Sequence, residues 1–116
     1  MDVVTIFEKI IKKEIPAEIV FENHNVLAFK DISPQASTHV LFIHKEKSTN
    51  INEMIEKNPT QISDIFKAIK EFTELEGIDQ HGFRVVTNCG ARAGQSVFYT
   101  HFHLLSGESF GNFGRA

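Results

Sequence analysis

His101 and His103 stand two residues apart in the run Val97-Phe98-Tyr99-Thr100-His101-Phe102-His103-Leu104-Leu105, directly after the small polar turn Gly94-Gln95-Ser96. On an extended backbone alternate side chains share a face. Tyr99, His101, His103 and Leu105 therefore fall together, with Phe98, Phe102 and Leu104 expected in the core behind them. Near neutrality an imidazole is a nucleophile when one nitrogen keeps its lone pair free and the other donates to a fixed acceptor, often a backbone carbonyl. Two such rings beside a turn rich in hydrogen-bond donors suit a reactive site. A buried, mutually satisfied histidine pair is the plainer alternative, and a metal chelate with His39 as third ligand is another.

The rest of the chain must position that strand. Thr5-Ile6-Phe7-Glu8 reads as a capping box, and Ile6, Phe7, Ile10 and Ile11 form an apolar stripe opposite Lys9, Lys12 and Lys13. A short helix is expected over about 5–13, stopped by Pro16. Residues 18–22 and 26–30 read as strands joined at Asn23-His24-Asn25, and 39–43 as a third strand too apolar for an edge. One or two helical turns follow over 51–57. Asn58-Pro59 opens a longer helix carrying Ile62, Ile65, Phe66, Ile69, Phe72 and Leu75, which Gly77 closes. Residues 83–87 and 98–105 are the fourth and fifth strands, and 107–116 is a Gly-rich irregular tail. Without regular βαβ alternation, this order predicts an α+β fold: a mostly antiparallel five-stranded sheet with helices packed on one side.

A chain of 116 residues predicts one domain, 1–116, able to bury a core without staples. A net charge of −3 gives no reason to expect nucleic-acid binding. No apolar run is long enough for a membrane span, no signal peptide is legible, and the single cysteine, Cys89, fits a reducing compartment; a cytoplasmic location is expected. Cys89 with a nearby histidine would make a nucleophilic dyad, though a loop cysteine beside glycine is more often incidental. His24, His44 and His81 lie in or beside turns and are expected at the surface, as is Arg92.

Several segments in order, Thr5 to Ile11, Phe29 to Ala36, Thr38 to Leu41, Val86 to Gly90, and Gly94 through His101-Phe102-His103-Leu104-Leu105, resemble the histidine triad (HIT) family, and within it the Hint branch of nucleoside phosphoramidases. The resemblance implies nucleotidyl transfer to an imidazole. His101 matches the family's nucleophile, which forms a nucleotidyl-histidine intermediate that water resolves. His103 would hydrogen-bond the phosphate oxygens, and Ser96 would donate to the leaving group. Gln95 and the turn amides would stabilise charge on the phosphoryl oxygens, and His39 would orient the other rings. Asp31 takes the place that binds the ribose hydroxyls. Ile6, Phe7, Ile10, Phe29 and Ile32 match the apolar walls around the base, and Asn88 and Gly94 line the phosphate end.

Tyr99 departs from the pattern by replacing the first histidine of the triad; its phenol is expected to reach His39 but, titrating near pH 10, shuttles no proton at neutrality. Thr5, Glu8 and Lys47 stand where metal-binding relatives carry two cysteines and a histidine, so no metal or other cofactor is expected. The implied activity is hydrolysis of nucleoside phosphoramidates or related nucleoside-phosphate links by a homodimer with purine nucleotide substrates. Dinucleoside polyphosphate hydrolysis or nucleotidyl transfer, and a nucleotide-binding module with little turnover, are the alternatives.

Overall fold

The computed structural model describes residues 4–111; residues 1–3 and the last part of the expected irregular tail, 112–116, lie outside the described residues. The elements are α1 (Ile6–Ile11), β1 (Ile19–Glu22), β2 (Val26–Lys30), β3 (Thr38–His44), α2 (Ile51–Lys57), α3 (Thr60–Leu75), β4 (Phe83–Val86) and β5 (His101–Ser106), with 3₁₀ turns at Ile78–Gln80 and Ala91–Ala93. The five strands form one sheet in the order β1-β2-β3-β5-β4, and every neighbouring pair is antiparallel. This is the α+β architecture expected from the order of elements.

Helices cover both faces of the sheet, not one. α2 and α3 bury Met54, Ile65, Ala68, Ile69 and Phe72 against Val26, Ala28, Val40, Phe42, Phe102 and Leu104. α1 buries Phe7 and Ile10 on the other face, against Leu27, Phe29, Leu41, Ile43 and Tyr99. The reason is legible in the strands: residues 26–29 and 39–44 are buried at successive positions, so both pleat faces are apolar and each needs a cover.

The helix ends follow local chemistry. Thr5 caps α1 with the full reciprocal box, its backbone N–H donating to Glu8 Oε1 at 2.9 Å. The helix stops earlier than its periodicity implies because Lys13 turns left-handed (φ 61°) and Glu14 N–H closes back on the Lys9 carbonyl at 2.8 Å. At α3, the Asn58 side chain accepts from Thr60 N–H at 3.1 Å, and Gly77 (φ 72°) supplies the left-handed exit. Of the stripe expected in its core, Phe66 and Leu75 are exposed.

The fifth strand starts at His101, three residues later than expected. Thr100 N–H donates to the Ser48 carbonyl at 2.8 Å and the two hydroxyls lie 2.6 Å apart, so residues before 101 are tied to the β3–α2 connection instead of a ladder. Phe98 is consequently 46% exposed, where alternation had placed it in the core. His44, expected at the surface, is only 3% exposed: its Nε2 lies 2.9 Å from Asp64 Oδ2 of α3 while its Nδ1 accepts from Glu46 N–H at 3.0 Å. No helix among the described residues is long and apolar enough to cross a membrane.

Candidate active site

Antiparallel register puts Ile43 opposite His101, Leu41 opposite His103 and His39 opposite Leu105. Directly opposed residues share a face, so all three histidines lie on the face that carries α1. His101 is buried, with the Phe7 ring set edge-on 5.0 Å away between centroids. Thr87 Oγ1 donates to the His101 carbonyl at 2.8 Å, pinning the start of β5 to the end of β4.

The hydrogen bonds fix opposite tautomers on the two rings. His101 Nδ1 lies 2.6 Å from the Tyr99 carbonyl, which only accepts, so Nδ1 carries the proton and Nε2 keeps its lone pair. Gln35 N–H donates to His39 Nδ1 at 3.0 Å, so the proton of neutral His39 is on Nε2. That nitrogen lies 2.9 Å from His103 Nδ1, which must accept, leaving the His103 proton on Nε2. The pair on β5 therefore offers one bare nitrogen, at His101, and one donor, at His103.

Burial keeps these rings neutral. It pushes His101 below the ordinary histidine value, opposed by the Tyr99 bond and the Asp31 charge. It does the same to His39, again against Asp31. His103 is pushed down to about 4, first by burial and then by its two histidine neighbours.

A cleft of about 300 Å³ opens beside this cluster. Ile6, Phe7, Ile10, Phe29, Asp31, Ile32, Ser96, His101 and His103 all line it, as the resemblance implies, and Leu41 and Val97 join them. Phe7, Ile10 and Phe29 are buried walls, while Ile32 is 98% exposed at the mouth. Asp31 serves two purposes: Oδ1 accepts from Ser33 N–H at 2.8 Å in a local turn, and Oδ2 lies 3.5 Å from His39 Nε2.

Two expectations need correction. Gln95 is buried with its amide spent on the loop: Oε1 accepts from Gly90 N–H (2.8 Å), and Nε2 donates to the carbonyls of Thr49 (2.7 Å) and Val97 (3.1 Å). It holds the turn in shape, and both its amide hydrogens are used there. Asn88 and Gly94 line a neighbouring cleft that shares His103 with the first. Tyr99 does not reach His39; its hydroxyl donates to the carbonyl of His44. Burial and the nearby charges of Glu8 and Glu46 push that phenol above its ordinary value.

A metal would find a different set from the one chelation by the β5 pair implies. Asp31, His39 and His103 offer ligand atoms within 4.8 Å of one another and His101 is not among them, while His39 Nε2 and His103 Nδ1 already share a proton. At the place where metal-binding relatives have cysteines and a histidine, Lys47 Nζ pairs with Glu8 Oε1 at 2.9 Å, and Thr5 N–H donates to the same oxygen. An ammonium group is no metal ligand. Cys89 is exposed in the loop and lines neither cleft.

Sequence reasoning missed Gln35, whose backbone N–H sets the tautomer of the whole chain of rings, and the Tyr99 carbonyl, which sets that of His101. Both act through main-chain atoms, which residue identity does not advertise.

Fold and site together define a class: a small α+β protein with a cluster of neutral imidazoles beside an apolar cleft on an antiparallel sheet. The HIT domain model matches residues 12–110. The chain is 38% identical over 107 residues to the purine nucleoside phosphoramidase of Escherichia coli K12, covering 92% of this chain and 90% of that protein. It is 44% identical over 106 residues to the 14 kDa zinc-binding protein of Zea mays, covering 90% and 82%. Among solved structures, a HIT family hydrolase from Clostridium thermocellum superposes with a TM-score of 0.89 at 45% identity, covering 97% of each chain. A histidine triad protein from Clostridium difficile gives 0.91 at 37% identity, covering 97% and 99%. This chain belongs to the HIT family.

Proposed function

We propose that this protein hydrolyses purine nucleoside phosphoramidates or related nucleoside-phosphate links through a nucleotidyl-histidine intermediate, without a metal. The single observation that carries the reading is the tautomer pair: a lone pair on His101 Nε2 next to a proton on His103 Nε2. The base lies between Phe7, Ile10 and Phe29, with the ribose hydroxyls on Asp31. His103 Nε2–H donates to a phosphoryl oxygen, and His101 Nε2 attacks phosphorus. The P–N bond breaks and its electron pair leaves on the amine nitrogen, which takes one proton from solvent at the rim where Ser96 stands. Water then attacks the same phosphorus, the bond to His101 breaks with its electron pair returning to Nε2, and the nucleoside monophosphate departs with the proton. The kinship with a phosphoramidase supports this substrate class.

Incubating purified protein with an adenosine phosphoramidate tests the reading. AMP release that disappears in His101→Ala supports it; tight AMP binding without turnover sinks it. That second result would favour a nucleotide-binding module, a reading prompted by Tyr99 at the place of the first triad histidine. The working form is a homodimer with the two sheets joined edge to edge and the long helices packed together; Phe83 of the edge strand β4 and Phe66 and Leu75 of α3 present exposed apolar surface. Sedimentation at micromolar concentration tests it, and a monomer there refutes it.

A further inference from the structure

Three successive residues of the β3–α2 connection hold three parts of the cleft wall. The Lys47 ammonium pairs with Glu8 Oε1 of α1 at 2.9 Å. The Ser48 carbonyl accepts from Thr100 N–H at 2.8 Å, immediately before His101. The Thr49 carbonyl accepts from Gln95 Nε2 at 2.7 Å, immediately before Ser96. α1 brings Ile6, Phe7 and Ile10 to the cleft, the turn brings Ser96 and Val97, and β5 brings His101; Glu8, Lys47, Ser48 and Thr49 do not line it. The connection is itself fixed to α2. Thr49 N–H donates to Glu53 Oε1 at 2.7 Å, Asn50 Oδ1 accepts from Glu53 N–H at 3.0 Å, and Met54 of that helix is buried in the core on the other face of the sheet.

The three links differ in what stands behind them. The turn is also held by Gln95 Oε1 and Val97, and the start of β5 by Thr87 Oγ1. α1 has less support. It is six residues long, far below the roughly 12 at which a helix becomes even marginal by itself in water. The burial of Phe7 and Ile10 keeps it on the sheet, together with the contacts of Glu8. Glu8 Oε1 accepts from Thr5 N–H at 2.9 Å as well as from Lys47, so one oxygen joins the helix cap to the connection. The two side chains are only 27% and 21% exposed, and a pair partly withdrawn from water is screened less than one on the open surface. Phe7, the residue before Glu8, sets its ring edge-on to Phe29, Tyr99 and His101 at 5.4, 6.1 and 5.0 Å between centroids. A displacement of α1 therefore moves the wall that packs on His101.

We infer that the Glu8–Lys47 pair positions α1 over the cleft and sets how tightly a nucleotide is held, acting through Phe7 and Ile10 and not on the reacting atoms. This rests on the nucleotide-binding part of the reading above. Hydrogen exchange at the Lys9 and Lys12 amides, which bond to the Thr5 and Glu8 carbonyls, reports opening of α1 with no ligand present. Lys47→Met and Glu8→Gln should each speed that exchange about two- to fivefold and leave the α3 amides unchanged. The glutamine can still accept from Thr5 N–H, so the cap survives. The double variant should exchange no faster than either single one, and Lys47→Arg should stay near wild type. In the same variants KM for an adenosine phosphoramidate should rise with kcat held, because a wall in place for less of the time lowers apparent affinity by that fraction. Unchanged exchange, additive effects of the two substitutions, or a fall in kcat would each overturn the inference, as would faster exchange with an unchanged KM. If wild type does not cleave the phosphoramidate, the hydrolase reading alone fails, and the Kd of AMP takes the place of KM. A weaker Kd in Lys47→Met then supports the positioning role, and an unchanged one overturns it.

Discussion

Lowering the pH from 7.5 to 5 takes the protein through a window in which an unfolded chain protonates His103 and the folded one resists. The folded ring is pushed down to about 4 from an ordinary 6.5, by burial first and by His101 and His39 after it. Between those two values the unfolded state binds more protons, so stability is complete above the unfolded value and falls as pH drops toward the folded one. At ~1.4 kcal/mol per pKa unit, the whole interval is worth at most about 3–4 kcal/mol, and the part reached by pH 5 about 2 kcal/mol. His39 and His101 are also lowered by burial and push in the same direction. Urea unfolding of wild type and His103→Asn, at matched protein concentration and several pH values over this range, measures the effect. The variant is expected to lose about 2 kcal/mol less than wild type on acidification. Parallel losses would refute the reasoning, because they would mean that His103 takes its proton as readily in the fold as outside it.

The depressed value of His101 also predicts that kcat/KM toward a phosphoramidate holds below pH 6.5, with its acid limb under the ordinary histidine range; a limb centred at or above 6.5 contradicts a buried, neutral nucleophile. Tyr99→Phe leaves the His44 carbonyl without its hydroxyl donor inside the protein, and should cost about 1–3 kcal/mol in urea unfolding at neutral pH; an unchanged midpoint argues against the bond. Lys13→Gly relieves a left-handed backbone at the end of α1 and should add about 0.5–1 kcal/mol. The Lys13–Glu22 ion pair it removes joins two well-exposed side chains and offsets little of that gain.

The sheet was legible because apolar runs and turn residues punctuate it: Val26–Lys30 is a strand from end to end, and Asn23 closes the preceding turn by accepting from Asn25 and Val26 N–H groups. What alternation alone does not show is where pairing stops. Phe98 and Tyr99 continue the period of β5, yet Ser48 captures Thr100 and ends the ladder. In the same way, His44 sits next to a turn in sequence, but Asp64, twenty residues on, draws its ring inside. The residues that share the apolar cleft beside His101 followed from family motifs, whereas the role of Gln95 did not: an amide beside a polar turn looks like a free donor until the carbonyls of Thr49 and Val97 are found to hold it.

Tyr99 meets His101 through its main chain and the last residue of β3 through its side chain. Its carbonyl accepts from His101 Nδ1–H, its hydroxyl donates to the His44 carbonyl, and the His44 ring is anchored by Asp64 of α3. The orientation of the His101 ring is thus braced through the covalent skeleton of a single residue against a helix it never meets. Were α3 to shift on association with another copy, His101 Nε2 would be re-aimed with no ligand at the site. An imidazole at position 99 would turn this rigid brace into one that gains and loses charge.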